Sequence, residues 1–161
     1  MYDKSVNKMG GLSLVEAQVT WTDGERFVGS ASSGHAIMID SDRQRNTAPG
    51  PMELVLIGLC ACTATDVVNI LHKKREAFTG VNVRAEAERA AEPPTVYKSI
   101  KLIYTISGQV SRKAAEDAVR LSEEKYCSVS AMLKSTARIT TQVNLAESAK
   151  IAGNAVKSET K

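Results

Sequence analysis

Residues 51–75 hold the feature that constrains this chain most. Leu54, Val55, Leu56, Ile57, Leu59, Val67, Val68, Ile70 and Leu71 place apolar groups around most of a helix's circumference. Pro51 fits the first helical position, where its missing N–H costs nothing. At the other end, His72, Lys73, Lys74 and Arg75 form a basic terminus that suits the negative pole of the helix dipole. A helix apolar on nearly all sides is expected to be buried on nearly all sides. In a chain of 161 residues, one domain by size, that requires a central helix wrapped by sheet or shared with a second subunit.

The flanking segments read as strands and shorter helices. Val15, Ala17, Val19 and Trp21 alternate with Glu16, Gln18 and Thr20, the pattern of a half-buried strand. Thr22-Asp23-Gly24-Glu25 signals a turn, and residues 26–30 and 35–40 continue as short strands divided by Ser32-Ser33-Gly34. Val81, Val83, Ala85 and Ala87 alternate, as do Ile100, Leu102, Tyr104 and Ile106, with Glu92-Pro93-Pro94 breaking the run between two long antiparallel strands. Residues 111–124 return to helical spacing, 128–134 form a short helix, and Ala137, Ile139, Thr141, Val143 and Leu145 mark a last strand. The order of elements is α+β. The expected organisation is a flexible segment over 1–11, one domain over 12–146 and a flexible polar tail over 147–161.

Composition closes several alternatives. The net charge of +3, with Lys and Arg in no dense run and aromatics not interleaved among them, argues against nucleic acid. Residues 1–11 lack the apolar core of a signal peptide, and no segment reaches the roughly 18 consecutive apolar residues of a membrane span. The expectation is a cytoplasmic protein with no membrane partner. Three cysteines do not make a secreted disulfide framework, so they are core residues or reactive thiols.

On a helix, Cys60 and Cys62 are rotated by about 200° and face opposite ways. Cys60 keeps company with Leu56, Ile57, Ala64 and Val67, as a small buried hydrophobe would. Cys62 sits with Gly58, Leu59, Thr65, Asp66 and Asn69, a more polar face where Gly58 leaves room for something to approach the sulfur. Alone, Cys62 reads first as a satisfied core thiol rather than a reactive one. A zinc site from Cys60, Cys62, Cys127 and His35 or His72 fails because the first two diverge and no Cys-X-X-Cys pair is present. No Gly-X-Ser-X-Gly elbow and no phosphate-binding glycine loop occurs.

Three pieces carry a family resemblance: Ala48-Pro49-Gly50-Pro51-Met52-Glu53-Leu54, then Gly58 and Cys62 on the same helix, then Glu124-Lys125-Tyr126-Cys127-Ser128-Val129. Together with the order of elements they resemble the OsmC/Ohr family of organic hydroperoxide reductases over roughly residues 14–145. The Trp21-Thr22-Asp23-Gly24 turn and the Glu-Lys-Tyr-Cys-Ser-Val segment resemble its YhfA-like branch. The resemblance implies an OsmC-like fold, an antiparallel sheet wrapped around a long buried helix in an intertwined homodimer. It implies oxidative-stress defence by a cysteine peroxidase, with Cys62 attacking an organic hydroperoxide to give a sulfenic acid and Cys127 condensing with it to a disulfide. No bound cofactor is implied, because an external dithiol such as dihydrolipoamide restores both thiols.

The family stabilises its thiolate with an arginine held by a carboxylate near the start of the central helix. Arg26 is the positional candidate for the arginine, and Glu53 for the carboxylate. Met52 stands where hydroperoxide reductases carry glutamate, and Glu53, nine residues before Cys62, falls on the opposite face of a regular helix. Asp66, one turn after Cys62, would disfavour a thiolate unless paired with a cation. A rival reading is a non-catalytic member of the fold that binds an apolar ligand or senses redox state.

Overall fold

The computed structural model describes residues 8–9 and 12–146, so the expectations for the two tails lie largely outside the described residues. The chain divides into two compact units, residues 1–55 and 56–161, with the boundary inside the long helix. Each unit is described by itself.

The first unit holds the ribbon β1 (Lys8–Met9) and β2 (Leu12–Ser13), then the antiparallel sheet β3 (Ala17–Asp23), β4 (Arg26–Ala31) and β5 (Ala36–Asp40). Gly24, at φ +50°, takes the left-handed position that the turn after Asp23 requires. Register places Val19 opposite Gly29 opposite Ile37, and Trp21 opposite Phe27 opposite Ile39, so these six residues share one face. On that face Ile39 is buried while the β3 side chains are not. Val19 and Trp21 are each 63% exposed and Val15 is 76% exposed, whereas their alternation called for a half-buried strand. The strand is present, and its apolar side chains Val19 and Trp21 are exposed rather than half-buried.

The long helix α1 (Pro51–Lys73) starts as its sequence dictates. Glu53 Oε2 accepts the Gly50 N–H at 2.7 Å, the reach-back of a helix-start carboxylate. It ends two residues before the expected Arg75, in a Schellman turn: Glu76 N–H donates to Leu71 O and Arg75 N–H to His72 O. Arg75 takes φ +58°, a position that glycine usually fills.

In the second unit, β6 (Ala77–Arg89) pairs antiparallel with β7 (Tyr97–Gln109), and β8 (Arg138–Ala146) joins β7 in parallel. The α+β class stands, and the sheet is mixed rather than purely antiparallel. The physical reason is the connection: α2 (Arg112–Leu121) and α3 (Ser128–Leu133) carry the chain back to the end where β7 began, as a parallel pairing demands. Gly108, at φ +108°, is fixed by crowding, since a Cβ there would lie 2.5 Å from Ala77 O.

Ile100, Leu102, Tyr104 and Ile106 on one face of β7 are buried, and α1 lies on that face with Leu59, Thr63, Val67, Ile70 and Leu71 buried along one stripe. Ala114, Ala115, Ala118 and Val119 of α2 complete this core. Of α1, expected to be buried by sheet or by a second subunit, this chain buries one stripe and leaves Ile57 50% exposed. Among the described residues α1 is the one helix long and apolar enough to cross a membrane. Midway along it, Thr63 and Asp66 hydrogen-bond to other elements of the same unit, which is how a core helix behaves.

Candidate functional site

Helix α2 does not simply end. Ser111 caps its start by accepting the Ala114 N–H, but after Leu121 the backbone widens into a π-turn over Ser122–Tyr126, closed by the Cys127 N–H on Ser122 O at 2.8 Å. The sequence reading ran one helix through 124, because a π-turn leaves no trace in a 3.6-residue pattern. The wider turn buries Ser122 completely and delivers Cys127 as the N-cap of α3, where its sulfur accepts the Ser130 N–H at 3.4 Å.

Cys127 arrives beside α1. Cys62 and Asp66, one turn apart on that helix, and Cys127 hold their ligand atoms within 4.8 Å of one another. The pair that sequence placed 65 residues apart is thus one site. The two sulfurs differ in access: Cys62 is half-buried, whereas Cys127 is 3% exposed. Burial pushes the Cys127 thiol up to about 11, neighbouring Cys62 and Asp66 add to the rise, and the Ser130 N–H opposes it. The helix-start N–H therefore loses to desolvation, and Cys127 is a neutral thiol near pH 7.

Behind Asp66 runs a buried polar chain that the sequence reading did not find. Ser122 Oγ donates to Asp66 Oδ2 at 2.8 Å, and Thr63 Oγ1 lies 2.9 Å from Ser122 Oγ and 2.8 Å from Tyr104 Oη. Burial pushes the Tyr104 phenol up to about 12, against the pull of Thr63, so it stays neutral. The chain links α1, β7 and the π-turn, and it fixes the Asp66 carboxylate. Cys60 points elsewhere, as the helix rotation requires. Burial raises the Cys60 thiol above its ordinary value against the pull of the Ala85 N–H on β6, and the residue is half-buried rather than fully buried.

Arg26 and Glu53 belong to the first unit. Arg26 is bonded through Nε and Nη2 to Asp23, which also accepts Arg45, and it lies opposite Asp40 in the register. Those two guanidinium groups hold the Asp23 carboxyl below its ordinary range. The carboxylate that grips Arg26 is therefore Asp23, three residues before it, while Glu53 serves the start of its own helix.

An α+β scaffold that brings two distant cysteines together beside a carboxylate on its long helix defines a dithiol protein. The OsmC-like protein family model matches residues 44–142, and the chain belongs to this family. Protein YhfA of Escherichia coli strain K12 is 40% identical over 127 residues, covering 78% of this chain and 94% of its own length. A crystal structure of a hypothetical protein from Aquifex aeolicus VF5 superposes with a TM-score of 0.77 at 30% identity, covering 86% of this chain and 100% of its own. An organic hydroperoxide resistance protein OsmC from Legionella pneumophila shares the fold at 19% identity, with a TM-score of 0.63 over 83% of this chain and 98% of its own.

Proposed function

We propose that this protein is a cytoplasmic, homodimeric, thiol-dependent reductase of organic hydroperoxides. The observation that carries the reading is the placement of half-buried Cys62 and buried Cys127 with their sulfurs within 4.8 Å of each other. The more accessible sulfur meets the peroxide, and the enclosed one waits for it. The Cys62 thiolate attacks one peroxide oxygen, the O–O bond breaks, and the alkoxide takes a proton and leaves as an alcohol. Cys127 sulfur then attacks the Cys62 sulfenic acid, and hydroxide leaves with the Cys127 proton as water, giving the Cys62–Cys127 disulfide. An external dithiol of the dihydrolipoamide class returns both thiols by exchange. The Legionella pneumophila protein that shares the fold is an organic hydroperoxide resistance protein, which supports this reading.

The homodimer is supported by what this chain leaves open. Val19, Trp21 and Ile37 on the sheet face are each at least 46% exposed, apolar side chains of the kind that a second copy covers. Sedimentation equilibrium should give twice the 17.3 kDa chain mass, and a monomer at micromolar concentration would refute the dimer.

Arg26 is proposed as the thiolate's cation. Its engagement by Asp23, together with Met52 in place of the expected glutamate, favours a second reading in which the same fold binds an apolar ligand or senses redox state without turnover. Cumene hydroperoxide consumption with dihydrolipoamide separates the two. Repeated turnover that Cys62→Ser abolishes and Arg26→Ala slows supports the reductase. A single oxidation without turnover supports a sensor, and an unreactive Cys62 supports a binder.

A further inference from the structure

Two thiols and a carboxylate converging on one point are also a donor set for a soft divalent cation. Zn²⁺ binds cysteine sulfur at about 2.3 Å and carboxylate oxygen at about 2.1 Å, so donors on one tetrahedral ion stand about 3.6–3.8 Å apart. Cys62, Asp66 and Cys127 hold their ligand atoms within 4.8 Å of one another, so side-chain movement of about 1 Å brings them onto one ion. The donors sit on firm supports. Cys62 and Asp66 are one turn apart on α1, and Cys127 is pinned as the N-cap of α3. Ser122 Oγ already holds Asp66 Oδ2, and Ser122 is in turn held by Thr63, itself bonded to Tyr104. A carboxylate oriented through its second oxygen is the supporting arrangement that metal ligands require. The Ser130 Oγ, on the residue whose N–H contacts Cys127 sulfur, is buried without a hydrogen-bond partner among the described residues.

We propose that the reduced Cys62–Asp66–Cys127 cluster binds one Zn²⁺ per chain through three protein donors, leaving a fourth position open on the half-exposed Cys62 side. Binding displaces the two thiol protons: two Cys–SH and Zn²⁺ give a bis-thiolate complex and two protons. The complex and the Cys62–Cys127 disulfide exclude each other, because both use the same two sulfurs. Zinc therefore blocks the oxidation of this pair, and a chain already carrying the disulfide does not bind the ion. The set differs from one that includes Cys60, which lies about 200° around α1 from Cys62.

The test is a titration of the full chain with Zn²⁺ in competition with a chromogenic chelator. The chain is first reduced with a phosphine, which adds no competing thiol, and Co²⁺ serves as the spectroscopic probe. The expected result is one ion per chain and a Co²⁺ spectrum with thiolate charge-transfer and tetrahedral bands. Cys62→Ser and Cys127→Ser each weaken binding by at least about 100-fold, Asp66→Asn by about 10-fold, Ser122→Ala by about 10-fold, and Cys60→Ser not at all. Circular dichroism of each variant checks folding, and Cys62→Ser, on an accessible helix position, decides the matter if Cys127→Ser fails to fold. Binding retained in Cys62→Ser, binding lost in Cys60→Ser, an octahedral thiol-free Co²⁺ spectrum, or no effect of Asp66→Asn would each overturn the proposal. These readouts do not depend on peroxide turnover.

Discussion

Thr63 on α1 and Tyr104 on β7, 41 residues apart in sequence, share a 2.8 Å hydrogen bond in the core of the second unit, with both residues no more than 2% exposed. Their bond anchors the polar chain that ends on Asp66. Thr63→Val would leave Tyr104 Oη and Ser122 Oγ each one partner short in a buried setting, at a cost of about 2–3 kcal/mol. Tyr104→Phe leaves Thr63 its bond to Ser122 and should cost about 1 kcal/mol. Urea unfolding of both variants checks the order, and equal costs would contradict it.

The thiol of Cys127 gives a prediction in pH. Its folded value of about 11 lies above the ordinary 9.0, so the folded state favours the protonated thiol. The associated stabilisation is complete below pH 9 and is lost as pH rises through about 11. Stability of the reduced chain should fall across that interval, and Cys127→Ala should fall less. Parallel curves for the two chains would refute the assignment.

Asp117 works in the opposite direction. Lys113 and Lys74 hold its carboxyl at about 2, below the ordinary 3.8, and Lys74 reaches it from just beyond α1 to tie that helix's end to α2. Its contribution is present above pH 3.8 and is lost as pH falls through about 2. The stability gap between this chain and Asp117→Asn should close over that range, and high salt should narrow it at pH 7 because the pair is partly exposed.

At the end of α1, Arg75 occupies the left-handed position of a Schellman turn at φ +58°. Arg75→Gly relieves the steric cost of a Cβ there and should stabilise the chain by about 1 kcal/mol in thermal or urea unfolding. A loss of stability would mean that the Arg75 side chain contributes more than its backbone costs.

Much of this was legible in the sequence, for identifiable reasons. Pro51 and the basic end bracket α1, alternation marks the long strands, and two-residue spacing on a helix separates Cys60 from Cys62. What stayed hidden depends on contacts between distant segments. Nothing local shows that Ser122 enters a π-turn, that β8 runs parallel to β7, or that Thr63, Tyr104, Ser122 and Asp66 meet, because each bond spans between 41 and 59 residues. The alternation of Val15, Val19 and Trp21 gives a strand with an apolar side but cannot say which molecule covers it.

The central claim is that Cys62 and Cys127 are one redox pair, and peptide mass mapping tests it most directly. After one equivalent of cumene hydroperoxide, the account predicts a single disulfide-linked peptide pair joining Cys62 to Cys127, one equivalent of alcohol, and Cys60 still alkylatable. Cys62 left reduced, or oxidation concentrated at Cys60, would contradict it.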